Sequence, residues 1–335
     1  MELLVLGGTH HVGRAVVEEA LARGDTVTTL TRGQSGAPAT GASARYADRT
    51  DIDAFGAVLG DDSWDAVIDT WSSAPVAVQA AAQLLAGRVG HYGYVSSCSV
   101  YRWPIPSGVD ESAPVVDADP GAEQGADYPA AKRGAELAVE QEFGGSVLVA
   151  RAGLILGPYE NVGRLPYWLN RMARGGRVAA PGPPDRPLQY IDARDLARWM
   201  LAAPGAGVSG FFNTVSRPGH TTMGALLEET KTVTGAAADL VWVDPATIEE
   251  AGVSPWTELP IWVPPTGELA ALHNANVAAA HGAGLVCRPM PETVADTWRW
   301  LQTEGVPQPA TGRAGSAMDV ATEARLLALH DAAGR

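Results

Sequence analysis

The amino-acid sequence predicts an α/β fold: a doubly wound parallel sheet with a smaller carboxyl-terminal lobe. Three observations predict it. Short apolar runs alternate with helical periodicity through the first 150 residues. A glycine-rich turn joins the first apolar run to the first helical stretch. Beyond residue 150 the alternation loosens into loops rich in proline, glycine and aromatic residues.

In order along the chain, Leu3 to Leu6 is a short apolar strand. Val12, Val16, Val17, Ala20 and Leu21 recur at helical spacing over 12–23, and Gly24 closes that helix. The β-branched run Thr26 to Thr31 reads as a strand. A third short strand includes Arg45 and Tyr46, 51–59 is a helix and 66–69 a strand. The alanine-rich stretch 75–87 is a helix ended by Gly87, and Tyr92 to Ser96 is a strand. A polar, proline-rich stretch spans Trp103 to Asp127. Tyr128 to Phe143 is a helix stopped by Gly144-Gly145, and Val147 to Ala150 is a strand. Helices are expected at 193–203, 222–235 and 291–304, with an amphipathic helix at about 317–332. The segments 181–184 and 262–267 read as loops.

The composition narrows the function. The chain has 335 residues, 46% of them hydrophobic and 19% charged, which suits a full core and argues against disorder. No apolar run approaches the ~20 residues of a bilayer span, so no membrane partner is expected. A strand-like run follows Met1 almost at once, which predicts no signal peptide. The net charge of −14, from 38 acids against 24 bases, repels phosphate backbones and argues against nucleic acid as the main partner. Two cysteines, Cys98 and Cys287, form no disulfide framework, and no residue spacing predicts a metal site. A cytoplasmic protein is the expectation. Only two of the bases are lysines, Lys132 and Lys231. In a chain that uses arginine as its generic cation, a retained lysine invites a chemical reason.

The turn Leu6-Gly7-Gly8-Thr9-His10-His11-Val12-Gly13 opens the first helix. Glycines there let a pyrophosphate approach the helix N-terminus and its N–H groups. His10 stands where the usual pattern has its middle glycine and is a candidate phosphate contact. His11 stands at an apolar position and reads as a core or rim residue. The second strand ends Thr31-Arg32-Gly33. An acid at that place would accept from the 2′-hydroxyl of NAD, whereas arginine suits the 2′-phosphate of NADP. NADP(H) is therefore favoured, with NAD(H) the alternative. Asp48 is expected near the adenine. Gly7, Thr9, His10, His11, Val12, Gly13, Arg32, Asp48 and Lys132 are the candidate cofactor-binding residues.

Tyr128-Pro129-Ala130-Ala131-Lys132 sets a phenol and an ammonium four residues apart at a helix start, on one face. An ammonium beside a phenol favours phenolate and fits tyrosine for proton transfer near neutrality. Upstream, Ser96-Ser97-Cys98-Ser99-Val100-Tyr101 follows a strand and can hold a substrate oxygen.

With these motifs the chain resembles the extended short-chain dehydrogenase/reductase family, also called the NAD-dependent epimerase/dehydratase family. Arg151 to Pro158, Gln189 to Ala197 and Arg288 to Trp298 extend the resemblance over most of the length. It implies a Rossmann-type dinucleotide domain over 1–157 that carries the catalytic site. A mainly substrate-binding lobe follows over 158–335, with about 189–216 returning to the Rossmann sheet. It implies Ser97, four positions before Tyr101, as the catalytic serine. Tyr128 becomes the acid/base, and Lys132 the residue that holds the nicotinamide ribose and tunes Tyr128. It also suggests a homodimer.

Departures from the family pattern narrow the reaction. Dehydratases carry Thr-Asp-Glu before the Val-Tyr pair, where this chain has Ser97-Cys98-Ser99. Sugar-nucleotide epimerases place an asparagine where Ala152 to Leu156 stand, and often an arginine near Pro187 to Gln189. Without those anchors a buried diphosphate would be poorly satisfied. The second half offers aromatic residues instead. Tyr159, Trp168, Tyr190 and Trp262, with Asn161, Arg164 and Gln189, are the candidate substrate contacts. The expected function is an NADP(H)-dependent oxidoreductase that reduces a carbonyl, or oxidises an alcohol, of a non-nucleotide small molecule. The alternatives are an epimerase with retained cofactor and a non-catalytic dinucleotide-sensing or RNA-binding relative.

Overall fold

The computed structural model describes residues 1–34, 36–123, 127–305 and 317–334. Residues 124–126 of the proline-rich stretch and the end of the second lobe at 335 lie outside the described residues. The elements run β1 (Glu2–Leu6), α1 (His11–Ala22), β2 (Thr26–Thr31), β3 (Ser43–Tyr46), α2 (Ile52–Leu59), β4 (Trp64–Asp69) and α3 (Val76–Leu85). Next come β5 (Val89–Ser97), a 3-10 turn at Cys98–Val100, α4 (Tyr128–Glu142), β6 (Ser146–Ala152), β7 (Leu154–Leu156) and α5 (Arg164–Ala173). The second half adds β8 (Gly176–Pro181), β9 (Pro187–Leu188), β10 (Tyr190–Asp192), α6 (Ala193–Ala206), β11 (Gly210–Thr214), β12 (Thr221–Thr222) and α7 (Met223–Thr234). It closes with β13 (Ala238–Val243), α8 (Pro245–Glu250), α9 (Ala278–Gly282), α10 (Met290–Glu304) and α11 (Val320–Ala333).

Seven strands form one sheet in the order β11-β6-β5-β4-β1-β2-β3. Every pairing in it is parallel. Strands covered on both faces need apolar residues at successive positions. Leu3, Leu4, Val5 and Leu6 of β1 are all buried for that reason. One apolar cluster joins α1 and α6 to one face of the sheet, around Val16, Leu196 and Met200. The other joins α2, α3 and α4 to the opposite face, around Phe55, Val78, Tyr92 and Val139. The chain leaves β1 in one direction to β2 and β3, and returns on the other side at β4. That reversal opens a crevice at the carboxyl ends of β1 and β4.

A third cluster builds the carboxyl-terminal lobe around Trp168, Met223, Leu227, Ile261 and Trp262. The lobe contains a parallel pair, β8 with β13, which sequence periodicity does not indicate. Its last helix, α11, departs from the amphipathic expectation: the residues it buries are Glu323 and Leu326. Glu323 accepts both of its bonds to a side chain from Arg171 Nε, at 2.8 and 2.7 Å, so an ion pair anchors the helix where an apolar stripe was expected.

Candidate active site

The crevice is a cavity of about 870 Å³, walled by the carboxyl ends of β1, β2, β4 and β5, by α4 and by the segment after β7. Its floor begins at the β1–α1 turn. Gly7 has φ +123°, and a Cβ there would stand 2.4 Å from Thr70 Oγ1. A Cβ on Gly13 would stand 2.7 Å from the Gly8 nitrogen. Only glycine permits this turn its close approach to β4. His10 holds the N-cap position of α1 without a side-chain bond to the helix, so the first turn is not capped from within. Burial holds the His10 imidazole below its usual pKa. His11 opens the helix at φ 36°, a conformation strained for a non-glycine residue, and its side chain lines the cavity.

Gly7, Thr9, His10, His11, Val12, Gly13, Arg32 and Lys132 all line this one cavity. Asp48 does not. Its Oδ1 accepts from the Thr50 amide at 3.0 Å and the Thr50 hydroxyl at 2.7 Å, on the exposed side of the turn after β3. Those bonds, with Arg32 adding, hold its carboxyl below the usual range. The cavity wall at that place is built by Ala47 and Arg49 instead.

Asp127 caps α4 by accepting from the Ala130 amide at 2.9 Å, which aims the first turn of that helix at the cavity. Tyr128 opens the helix with 42% of its surface exposed, while Lys132, one turn on, is buried. Lys132 Nζ donates to the carbonyls of Trp71 and Val95, each at 2.6 Å, and lies 4.8 Å from the Tyr94 ring centroid. Ser96 is part of the wall beside Val95. Ser97, the last residue of β5, lies just past it. Its Oγ accepts from the Ser99 amide and donates to Ser99 Oγ, each at 3.1 Å.

Beneath the serine strand, Glu136 of α4 is fully buried. It accepts from Ser96 Oγ at 2.6 Å and from Arg151 Nε and Nη2 at 2.9 Å each. This network ties α4, which Tyr128 opens, to β5 and β6. Cys98 is packed there, and burial pushes its thiol up to about 12, which removes it as a nucleophile.

The candidate substrate contacts divide. Asn161 lines the cavity. Tyr159 faces a second cleft of about 350 Å³ with Trp300 and Arg194, and its hydroxyl donates to Glu18 at 3.2 Å. Arg164 stands 4.9 Å over the Trp256 ring, away from the main cavity. Trp168, Gln189, Tyr190 and Trp262 are core residues, each no more than 2% exposed. Trp168 Nε1 donates to the Pro260 carbonyl at 2.8 Å, and Trp262 Nε1 to the Gly182 carbonyl at 3.0 Å. The Gln189 amide is consumed by Ser216 and Ala275 backbone groups. These four correct the sequence expectation: a lobe of short, irregular elements needs its large rings and its amide inside.

Sequence reasoning missed Arg49, Trp71, Ser72, Ser73, Ile155 and Glu123, all of which line the cavity. The signal for 70–75 was available, because a segment that follows a strand beside the sheet's reversal point faces the ligand crevice. Among the described residues no three His, Cys, Asp or Glu side chains gather into a metal site, and no helix is long and apolar enough to cross a membrane.

A family model, "NAD dependent epimerase/dehydratase family", matches residues 3–211. No curated protein matches the chain. Solved structures similar to it include a putative epimerase from Burkholderia cenocepacia J2315, 19% identical, covering 90% of this chain and 98% of that one at a TM-score of 0.69. The Bordetella bronchiseptica enzyme WbmH, in complex with NAD+, is 18% identical over 91% and 99% of the two chains, TM-score 0.65. UDP-glucose 4-epimerase of Thermotoga maritima, with UDP-glucose, is 19% identical over 91% and 99%, TM-score 0.65. At these identities the likeness carries the fold.

Proposed function

Because the chain belongs to the NAD dependent epimerase/dehydratase family, an enzyme family of the extended short-chain dehydrogenase/reductase type, we propose that it is an NADP(H)-dependent oxidoreductase acting on a carbonyl or alcohol of a non-nucleotide small molecule. The observation that carries this reading is one cavity lined by the β1–α1 glycine turn, by Arg32 and by Tyr128 with Lys132. The tight β1–α1 turn, whose Gly7 and Gly13 leave no room for a Cβ against Thr70 and Gly8, fits a nicotinamide dinucleotide. The turn at 7–13 would hold its pyrophosphate at the α1 N-terminus, where backbone N–H groups and the helix dipole favour an anion. Arg32, exposed at the end of β2, would hold a 2′-phosphate, and no acid stands at Thr31 or Arg32 to prefer the 2′-hydroxyl. When bound, the dinucleotide supplies or accepts hydride.

The chain's own residues would supply position and protons. Ser97 Oγ exchanges its bond to Ser99 for one to the substrate oxygen. The Tyr128 hydroxyl gives that oxygen a proton in reduction, or takes it in oxidation. The Lys132 ammonium, held between two carbonyls, stabilises negative charge that develops near Tyr128.

Charge along the sheet supports a non-nucleotide substrate. The cationic side chains of the cavity wall, Arg32 and Arg49, belong to the β2 and β3 ends, and Lys132 to α4. Glu123 lies in the wall beyond β4, where a diphosphate would meet repulsion. Two lobe arginines are engaged elsewhere: Arg171 on Glu323, and Arg186 on the Pro264 and Ala270 carbonyls. A panel of carbonyl compounds with reduced NADP, followed at the nicotinamide absorbance, tests the reading. Net oxidation that Tyr128→Phe abolishes supports it. A thermal shift with UDP- or dTDP-sugars at millimolar concentration, absent with the free nucleotides, contradicts it.

The similarity to a UDP-glucose 4-epimerase over nearly its whole length favours a second reading, an epimerase that retains its cofactor. Substrate conversion without net change in the nicotinamide would select it.

A further inference from the structure

Under the cavity a chain of buried polar contacts leads from the turn after β3 to α4. Arg49 and Asp69 are 4% and 0% exposed. The guanidinium forks onto the carboxylate, Nη1 to Oδ1 and Nη2 to Oδ2, each at 2.7 Å. It is stacked at 5.7 Å from the Phe55 ring centroid and 5.1 Å from that of Trp71. Asp69, the last residue of β4, also accepts from the Trp71 amide at 2.9 Å and the Tyr92 hydroxyl at 2.6 Å. Although burial opposes its ionisation, Arg49 holds the Asp69 carboxyl below the usual range. The Trp71 carbonyl then accepts from Tyr94 Oη at 3.0 Å and from Lys132 Nζ at 2.6 Å.

A buried ion pair is a weak source of stability, since apolar replacements are often neutral or better. What this pair fixes is geometry. Asp69 holds the Trp71 amide and the Arg49 guanidinium lies over the Trp71 ring, two residues past the end of β4. We infer that Arg49 and Asp69 are positioning residues for Lys132, acting through the Trp71 main chain. The inference rests on the role of Lys132 proposed above. It places the control of the ammonium in the cavity floor on the far side of β4, rather than in α4.

The two lysines of the chain make the test direct. With lysine labelled by 13C at Cε, the spectrum has one resonance for Lys132 and one for Lys231, which is 38% exposed on α7 and serves as reference. Asp69→Asn should move the Lys132 resonance and its titration midpoint by about half a pH unit or more, roughly a threefold change in the equilibrium. Lys231 should stay. Arg49→Lys keeps the charge but loses the fork, so a smaller shift of Lys132 is expected. It also carries the test should Asp69→Asn not fold. Dissociation constants for the dinucleotide should change less than about threefold while turnover falls about tenfold. An unmoved Lys132 in folded variants overturns the inference. So does a shift in Asp69→Asn with none in Arg49→Lys, which means charge rather than position. Movement of both lysines with a lower melting temperature means general loosening, and also overturns it. A chain that binds neither NAD nor NADP yet shows the selective Lys132 shift keeps the coupling and overturns the cofactor reading instead.

Discussion

The parallel sheet and the carboxyl-terminal lobe handle polar and aromatic side chains in opposite ways. At the sheet's carboxyl edge the backbone of each strand is already paired, so the residues just beyond it are left to face the crevice. His10, Arg32, Trp71 and Ser72 all stand in such places, and Tyr128 opens the helix that faces them. Among the described residues the lobe has no comparable sheet. Its strands come in pairs, β8 with β13, β9 with β12 and β10 with β7. Its irregular segments must be held by side chains, so Trp168, Trp262 and Gln189 turn inward and bond to carbonyls and amides of loops. An aromatic residue in a proline-rich loop is therefore a poor indicator of a pocket here. A residue one step past a central strand is a good one.

The largest expected effect tests the sheet side. Tyr128→Phe should lower turnover by about 10²–10⁴, the usual contribution of a general acid or base, with melting temperature and dinucleotide affinity unchanged. Its exposed position, and a cap supplied by Asp127 rather than by itself, predict an intact helix. Turnover within a few-fold of wild type would remove Tyr128 from the chemistry. The lobe should respond in the opposite sense. Trp168→Ala should cost about 3–5 kcal/mol of stability through the cavity it leaves, measured by denaturant titration. Dinucleotide affinity should be unaffected at temperatures where the variant is folded. A substrate-binding defect without loss of stability would return Trp168 to the pocket.

The joint between the two regions has its own signature. Glu160 is fully buried before α5, where it accepts from the Arg164 and Leu165 amides at 2.7 and 3.1 Å. Burial pushes its carboxyl from 4.5 up to about 7. A raised folded-state value means that its contribution is fully present below pH 4.5 and is lost as pH rises through about 7. Relative to wild type, Glu160→Gln should flatten the stability profile across that window by up to about 3 kcal/mol. Parallel profiles would show that Glu160 titrates normally. The smallest effect is at the mouth. Arg32→Ala should leave stability alone and weaken NADP about tenfold or more, with little change for NAD, because a charge-assisted contact contributes ~1.5–3 kcal/mol. Equal losses for both dinucleotides would assign Arg32 a general role.

The contrast also explains what the sequence discloses. Alternation of strand and helix, the turn at Gly7 to Gly13 and the Tyr128–Lys132 spacing are local patterns, and they indicate the elements of the sheet to within a few residues. The helices read at 193–203, 222–235 and 291–304 correspond to α6, α7 and α10. Other features depend on register between distant segments. Arg49 meets Asp69, and Trp71 meets Lys132, only because β4 stands between β1 and β5. The β8–β13 pair escapes periodicity because its strands are short and far apart in the chain. Asp48 and Arg49 are adjacent in sequence, yet one turns out to Thr50 and the other in to Asp69. Only the turn geometry after β3 decides which of them meets the cavity.

Calorimetric titration of the wild-type chain with NADP and with NAD, at one salt concentration, tests the central claim most directly. The expected result is binding of both, with NADP tighter by about tenfold or more. Tighter binding of NAD would reverse the cofactor assignment. Binding of neither would contradict a dinucleotide-dependent oxidoreductase altogether.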